Sequence, residues 1–200
     1  MAKKSPKQTR AEKSAETRKR VLDATSQAIR VHGTDGVSVS EIMKSVSLTH
    51  GTFYAHFSSK EDLMAAAVTH AADTFREALK EKAKTVESGG RARGLAAAYL
   101  TAEHATNPEN GCFIAALGSE LGRAPEPVGV SFRESVDETI AMIEGLLAAD
   151  GSNRRDAAIA SLATVVGGVI LARAAKDDEA RDTVLRACRE ALANRNGRIQ

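Results

Sequence analysis

The densest group of residues that could do chemistry lies between positions 49 and 60, in the segment THGTFYAHFSSK. Threonine and tyrosine hydroxyls bind phosphate oxygens, histidine reaches the edges of bases, and lysine supplies positive charge. This mixture is typical of contacts with DNA. Gly51 would let the backbone approach a duplex closely. With two serines shortly before the segment, the expected DNA-binding residues are Ser38, Ser40, Thr49, His50, Gly51, Thr52, Tyr54, His56 and Lys60.

Two short helices are expected to hold this group in place. Ser38 and Glu41 have the spacing of a capping box, and Thr49 is placed to cap a second helix. Apolar residues recur at i, i+3, i+4 and i+7 in the first helix, at Val39, Ile42, Met43 and Val46. The three residues between the helices give the layout of a helix-turn-helix, whose second helix enters the major groove.

A third helix is expected to begin about Ser59, with a capping box formed by Ser58 and Glu61. Lys60 lies at its start, as Ser38 and Ser40 lie at the start of the earlier helix. The free N–H groups of a helix N-terminus attract phosphates. These three residues are therefore expected to bind the DNA backbone, and His56 to pack or to contact a phosphate.

The segment THGTFYAHFSSKEDL resembles the signature of the TetR family of transcriptional regulators, and the likeness extends over about 17–63. The resemblance implies a dimeric regulator, usually a repressor that a small molecule releases from its operator. One position departs from the family pattern, because Ser47 stands where the turn usually has glycine. A left-handed backbone there would cost serine about 1 kcal/mol more than glycine.

Charge and composition agree with an intracellular DNA-binding protein. The net charge is only +2, but residues 1–20 carry eight Lys and Arg against two Glu. This basic arm is expected to seek phosphates, although a merely solubilising tail is the alternative. The N-terminus lacks the apolar segment of a signal peptide, and two cysteines are too few for a disulfide framework. Without an unbroken apolar run of 18 residues, a membrane span is not expected, and the cytoplasm is the expected location.

The periodicity predicts an all-α chain of nine helices. We expect a basic flexible arm over 1–14, a three-helix helix-turn-helix domain over 15–63, and an effector-binding and dimerisation bundle over 64–200. The helices outside the helix-turn-helix are predicted at about 15–32, 59–86, 91–106, 112–122, 128–149, 154–175 and 178–194.

The last two helices carry more apolar surface than one core face requires. The helix over 154–175 is apolar on more than one side and contains Gly167 and Gly168, which permit close helix approach. These helices could simply finish the core of one protomer, but the resemblance implies a homodimer built from a four-helix bundle of the last two helices. The expected dimerisation residues are Ile159, Leu162, Val166, Gly167, Ile170, Leu185, Cys188 and Leu192.

The middle of the bundle is the expected place for a small-molecule effector. Large apolar side chains with a few polar groups are typical of such pockets. The same residues could be ordinary core. The expected ligand-binding residues are Phe75, Tyr99, His104, Cys112, Phe113, Leu117, Phe132 and Met142.

Cys112 carries a more specific hypothesis. It lies at a predicted helix N-terminus, where the positive end of the helix would lower the thiol pKa and favour sensing of oxidants or electrophiles. The alternative is a small buried apolar residue.

An enzyme that uses Cys112 as nucleophile and His104 as base is the competing function. Against it, the sequence shows no glycine-rich phosphate loop, no third orienting residue and no carboxylate pair, so no cofactor is expected. His50, His56 and His70 lack the partners of a metal site, so no metal is expected either. An architectural DNA protein would not need the large C-terminal bundle.

Overall fold

The computed structural model describes residues 9–84, 91–147 and 153–196, and these contain helices and no strand. The predicted all-α fold class is confirmed. The helices are α1 Arg10–His32, α2 Val39–Ser45, α3 His50–Phe53, α4 Lys60–Lys84, α5 Arg91–Tyr99, α6 Ala102–Thr106, α7 Phe113–Leu121, α8 Val128–Glu144, α9 Arg154–Arg173 and α10 Asp178–Asn196, with a 3-10 turn at Pro108–Asn110.

Two predicted boundaries are wrong for local reasons. Helix α1 begins at Arg10 rather than at 15, because Thr9 and Glu12 form a complete capping box. The predicted arm is therefore helical from Arg10 onward, and residues 1–8 lie outside the described part. The single helix predicted over 91–106 is two, since Thr101 is extended and caps α6 by accepting a hydrogen bond from the N–H of His104. The ends predicted at 86 and 149 also fall outside the described residues.

The first three helices and the start of α4 form one small domain. Its centre is made by Val21, Ile29, Met43, Phe53 and Phe57, each no more than 3% exposed. Burial of such side chains contributes about 1.5–3 kcal/mol each, so this core sets the angle between α2 and α3.

Helix α1 also holds the turn between α2 and α3 directly. Arg20 donates a hydrogen bond of 2.6 Å to the carbonyl of Val46, and the Arg18 guanidinium lies 4.9 Å from the centre of the Phe57 ring. Cations over an aromatic face contribute about 0.5–1 kcal/mol at exposed sites. The turn is therefore fixed from outside as well as by its own backbone.

Helix α2 ends in a Schellman motif with Ser47 in the left-handed conformation. Leu48 N–H donates to Met43 O at 2.8 Å and Ser47 N–H donates to Lys44 O at 3.0 Å. The φ of Ser47 is 56°, so the left-handed backbone considered for this turn is present. Serine here is strained, because its Cβ crowds the following carbonyl.

Helix α4 belongs to both halves of the chain. The capping arrangement at its start differs from the predicted pair of Ser58 and Glu61. The side chain of Ser59 accepts from Asp62 N–H, and the Asp62 carboxylate accepts from Ser58 N–H at 2.8 Å. Further along, Arg76 is 8% exposed and donates to Ser135 O and to the Glu138 carboxylate, which ties α4 to α8.

Helices α9 and α10 pack closely at Gly168. A methyl group at that position would come within 2.9 Å of Cys188 Sγ and 3.0 Å of Leu100 Cδ2. Gly168 therefore serves packing inside the protomer. Its neighbour Gly167 has no atom within 4 Å of the place where a Cβ would lie.

The strain at Ser47 can be measured. Ser47→Gly should raise the free energy of unfolding, by up to about 1 kcal/mol, because glycine adopts this φ without the Cβ clash. Ser47→Val should lower it, since a β-branched residue is an outlier at positive φ. Urea denaturation of both variants and of the wild type measures these differences in the free energy of unfolding. A stabilised valine variant would contradict the assigned turn.

Candidate DNA-binding surface and ligand cavity

The expected reading residues form an accessible surface at α3. Thr49, His50, Gly51 and Tyr54 are exposed, Tyr54 by 66% of its surface, and Thr52 is half-buried. The Thr49 and Thr52 hydroxyls lie 3.0 Å apart, and Thr49 makes no capping bond to the backbone. Both hydroxyls can therefore turn towards an external acceptor.

Aromatic packing holds α3 although the helix has only four residues. The Phe53 ring is buried between the rings of Tyr54 and Phe57, with centroid distances of 5.0 and 5.8 Å. The His50 ring lies 5.6 Å from that of Tyr54 at a steep angle. Such contacts contribute about 0.5–1.5 kcal/mol each beyond burial. A helix too short to be stable alone is thus held by its neighbours.

The N-termini of α2 and α4, on either side of α3 in the sequence, differ in how freely they could bind a phosphate. Lys60 and Ser40 are accessible, and Lys60 is the first residue of α4. Ser38 is exposed, but its amide and hydroxyl are both bonded to the Glu41 carboxylate, and these bonds lower the pKa of Glu41. The phosphate contact at Ser38 stays a prediction, and a phosphate there would share this helix end with the Glu41 carboxylate. His56 is half-buried, with its ring 6.4 Å from that of Phe57.

A cavity of about 200 Å³ lies among α4, α5, α8, α9 and α10, with one end at the start of α7. It contains five of the predicted ligand-binding residues: Phe75, Tyr99, Cys112, Phe113 and Met142. The lining residues outside that predicted set come mainly from the same helices, α4, α5 and α8, and the rest mainly from α9 and α10: Arg76, Leu79, Arg93, Leu95, Ala96, Ala97, Thr139, Ile143, Leu147, Ser161, Leu162, Val165, Arg189, Leu192 and Ala193.

Three predicted ligand-binding residues do not line this cavity. Leu117 is 1% exposed and is core, and Phe132 packs its ring 5.7 Å from that of Phe113. His104 lines a smaller neighbouring cleft of about 90 Å³ together with Phe75. The assignment of these three residues to the cavity is corrected, because Leu117 is core, Phe132 packs against Phe113, and His104 lines the neighbouring cleft.

The His104 ring is a structural junction. Its Nδ1 lies 2.7 Å from the carbonyl of Tyr99, and its Nε2 accepts the N–H of Cys112 at 2.9 Å. The ring is therefore neutral, with its proton on Nδ1, and burial lowers its pKa to about 4. Since Nε2 is bonded to the backbone of Cys112, it is not available to take the thiol proton. This geometry argues against the nucleophile and base pair of the competing enzyme hypothesis.

Cys112 differs from the sequence expectation. It is the N-cap residue of α7, but only 1% of its surface is exposed, and burial raises the pKa of its thiol. The predicted lowering of that pKa by the helix end is therefore wrong, because removal from water outweighs the helix dipole. The geometry favours the alternative of a small buried residue.

Helix α7 connects the cavity to the DNA-binding domain. Phe113, its first residue, lines the cavity, and Glu120 near its end binds the loop after α1. The Glu120 carboxylate accepts hydrogen bonds from both the backbone N–H and the hydroxyl of Thr34. It also fills the space beside Gly33, where a Cβ would lie 2.7 Å from Glu120 Oε2 and φ is +73°.

A second bond joins α1 to the same region. Arg30 is 9% exposed, and its Nε donates to the carbonyl of Glu109 at 2.8 Å. Sequence reasoning missed both connections, because each links residues about 80 positions apart and neither has a local signal.

The expected dimerisation residues separate into two groups. Ile159 and Ile170 are 44% and 46% exposed, and Leu171, which was not predicted, is 60% exposed. Val166 is half-buried beside them and Gly167 faces open space. These five residues are called the α9 outer face.

The other expected dimerisation residues point inward. Leu162, Leu185 and Leu192 are buried within the protomer, and Leu162 and Leu192 line the cavity. Cys188 packs against Gly168. Their assignment to a contact surface is corrected, because a helix that is apolar on two sides does not show in sequence which side faces its own core.

Two further properties concern membranes and metals. By length and composition, α9 is apolar enough to cross a membrane, and about a third of that stretch is buried inside the protomer. Within the ranges that the structure describes, no group of three or more His, Cys, Asp or Glu is arranged to hold a metal ion.

Comparison with known proteins supports the assignment of the N-terminal surface. Residues 21–67 match the family model described as bacterial regulatory proteins, tetR family. A Bacillus subtilis protein named as the uncharacterized HTH-type transcriptional regulator YdgC is 40% identical over 57 residues. That segment is 28% of this chain and spans 29% of YdgC.

Solved structures resemble the chain over most of its length. A TetR-family regulator from Cytophaga hutchinsonii has a TM-score of 0.75 at 19% identity, covering 94% of this chain and 98% of its own. A TetR regulator from Chloroflexus aurantiacus gives 0.74 at 24% identity, covering 90% and 96%. Reduced NemR from E. coli gives 0.70 at 20%, covering 88% and 96%. At these identities the likeness concerns the fold, and the proteins from Cytophaga hutchinsonii and Chloroflexus aurantiacus are named as TetR transcriptional regulators.

Proposed function

We propose that this chain, which belongs to the TetR family of transcriptional regulators, acts as a homodimeric repressor that a small molecule releases from its operator. DNA binding follows from the matched helix-turn-helix segment. The observation that supports ligand control is the apolar cavity against α4 and α7, the two helices that contact the DNA-binding domain. The proposed location is the cytoplasm, where the DNA is.

Recognition is proposed to use the accessible residues of α3. Thr49 and His50 would reach base edges, while Tyr54 and Lys60 would bind phosphates on either side. Ser40, Gly51, Thr52 and His56 would contribute closer or secondary contacts. The basic residues before Thr9 would add sequence-independent attraction.

Dimerisation is proposed through the α9 outer face. Three large apolar side chains exposed on one helix are unfavourable in water, and the open space at Gly167 allows a second helix to approach. A second copy of the chain is the proposed occupant, because a helix-turn-helix dimer binds two half-sites about 34 Å apart. This accounts for the apolarity of α9 without a membrane.

Ligand control is proposed to act through two helices. Helix α4 would carry Lys60 at the DNA, and it carries Phe75 and Leu79 at the cavity. Helix α7 carries Phe113 at the cavity and Glu120 at the loop before α2. A ligand that fills only one arrangement of these helices would change the spacing of the two α3 helices. Coupling on the scale of 1–3 kcal/mol is expected.

The reading surface can be tested by separating affinity from specificity. Tyr54→Phe and Lys60→Gln should weaken binding to all duplexes and reduce the salt dependence, by about one counterion per half-site for each phosphate that is no longer bound. Thr49→Ala or His50→Ala should instead change which sequences are preferred. Selection from a random duplex library, followed by salt titration on the preferred site, measures both. Unchanged behaviour in all four variants would contradict the assigned surface.

The dimer surface offers a matched pair of variants. Leu171→Asp should convert the protein to monomers and weaken operator binding, because it introduces a charge into an apolar contact. Gly167→Leu should do the same by filling the space that a partner helix needs. Val31→Asp changes a residue that is 49% exposed on α1, outside this face, and should remain dimeric. Sedimentation velocity at micromolar concentration measures the oligomeric state of each variant. A dimeric Leu171→Asp protein would contradict the proposed contact.

The hydrogen bonds between Glu120 of α7 and Thr34 predict a variant that binds the ligand but does not release the operator. Glu120→Ala removes both bonds to Thr34, and should reduce the effect of an inducing ligand on operator affinity to less than about twofold. Ligand affinity without DNA should change little, because Glu120 does not line the cavity. Glu120→Gln keeps an acceptor oxygen and should retain most of the response. A full response in Glu120→Ala would contradict the proposed role of this connection.

A further inference from the structure

We propose that the cavity binds an amphipathic organic anion, a small carboxylate with an apolar body, and that Arg189, Arg93 and Tyr99 recognise its charged head. This inference rests on the proposed function, because it names the class of effector for the same cavity. It is carried by the charges and unpartnered donors around the cavity.

The cavity wall is positively charged at selected points. Its described residues include three arginines and no carboxylate: Arg76, Arg93 and Arg189 are set among apolar side chains. Arg76 is balanced, because Asp73 and Glu138 both accept its hydrogen bonds. Arg93 and Arg189 form no ion pair with any described residue, so their charges are not balanced within that part of the chain.

Each of these two arginines is held at the end of the other's helix. Arg93 of α5 donates to the carbonyl of Ala193 at 3.0 Å, and Arg189 of α10 donates to the carbonyl of Leu100. A guanidinium has five N–H donors, and one carbonyl leaves several of them free. The planar fork of those donors matches the two oxygens of a carboxylate.

Tyr99 adds a donor in the same cavity. Its side chain is 3% exposed, and its hydroxyl has no hydrogen-bond partner. Such a buried group destabilises the fold for as long as it is left unsatisfied. Burial also raises the pKa of Tyr99, so the hydroxyl keeps its proton and can donate it to an anionic oxygen. The Cys112 thiol lies close enough to contribute to that shift but does not satisfy the hydroxyl.

The volume of the cavity limits the size of the apolar body of the ligand. The cavity of about 200 Å³ exceeds the roughly 150 Å³ that holds a benzene ring in an engineered core, but lies below the roughly 300–1,000 Å³ of drug-sized sites. Phe75, Phe113 and Met142 provide the surfaces for that body. A cationic ligand of the same size would meet unbalanced positive charge and no carboxylate.

A matched ligand series tests the charge of the head. The probes are 3-phenylpropanoate, 3-phenylpropan-1-ol and 3-phenylpropan-1-amine, titrated calorimetrically into the full-length protein at neutral pH. We expect the carboxylate to bind at least about tenfold more tightly than the alcohol, and the amine most weakly, since hydrogen bonds to charged groups are about twice as strong as neutral ones. Equal or tighter binding of the alcohol or amine, or no binding of any probe at millimolar concentration, would overturn the proposal.

Variants separate recognition from folding. Arg189→Gln keeps a donor for Leu100 O without the charge, and should lose about tenfold in affinity for the carboxylate while leaving the alcohol unchanged. Tyr99→Phe should weaken the carboxylate several-fold with no loss of stability, because it removes an unsatisfied group. If Arg189→Gln binds the carboxylate as the wild type does, the arginines serve only to join α5 and α10, and the proposal fails.

Operator binding measured in parallel tests the ligand class and ligand control separately. Release of operator by the carboxylate supports both the ligand class and the regulatory role. Tight carboxylate binding without any change in operator affinity would keep the ligand class and overturn ligand control through this cavity. Release by the alcohol, with weaker binding of the carboxylate, would keep ligand control and overturn the ligand class.

Discussion

The hydrogen bonds between the end of α1 and the bundle are the constraint on which the other features depend. Thr34 is held by Glu120 and Arg30 by the carbonyl of Glu109. Without them, the DNA-binding domain would contact the bundle mainly through α4 and could rotate about it. With them, the domain is also fixed to the bundle at two separated points, and the proposed ligand control would move α3 through these points.

Because the domain is held at these points, the many local contacts that fix α3 have a clear purpose. The Schellman turn at Ser47, the Arg20 bond to Val46 and the packing of Phe53 all fix a four-residue helix that has little stability of its own. A movement transmitted through α1 or α4 therefore shifts α3 as a rigid body instead of unfolding it. Strain at Ser47 is tolerated because its surroundings determine the turn.

The parts of the structure with local signals were predictable from sequence. Capping residues and apolar periodicity identified α2, α3 and the all-α fold, and the family resemblance over about 17–63 lies where the tetR family model matches, at 21–67. What failed depended on contacts distant in sequence. Leu162 and Ile159 are both apolar and three residues apart, yet one lines the cavity and the other faces outward. Similarly, the helix end at Cys112 was visible in the sequence, but the burial that raises its pKa was not.

The cavity also lies against α9 and α10, so a ligand in it would act on these helices as well as on α4 and α7. Leu162 and Val165 line it from the inner side of the helix whose outer face carries Ile159, Ile170 and Leu171. In the proposed dimer, a ligand between α5 and α10 would therefore press on the helix that sets the distance between protomers, as well as on α4 and α7. Since interfaces and packed cores shift between discrete arrangements, the two effects would act together. Under the proposed ligand control, an effector of this size would then alter half-site spacing although it contacts no residue of the DNA-binding domain.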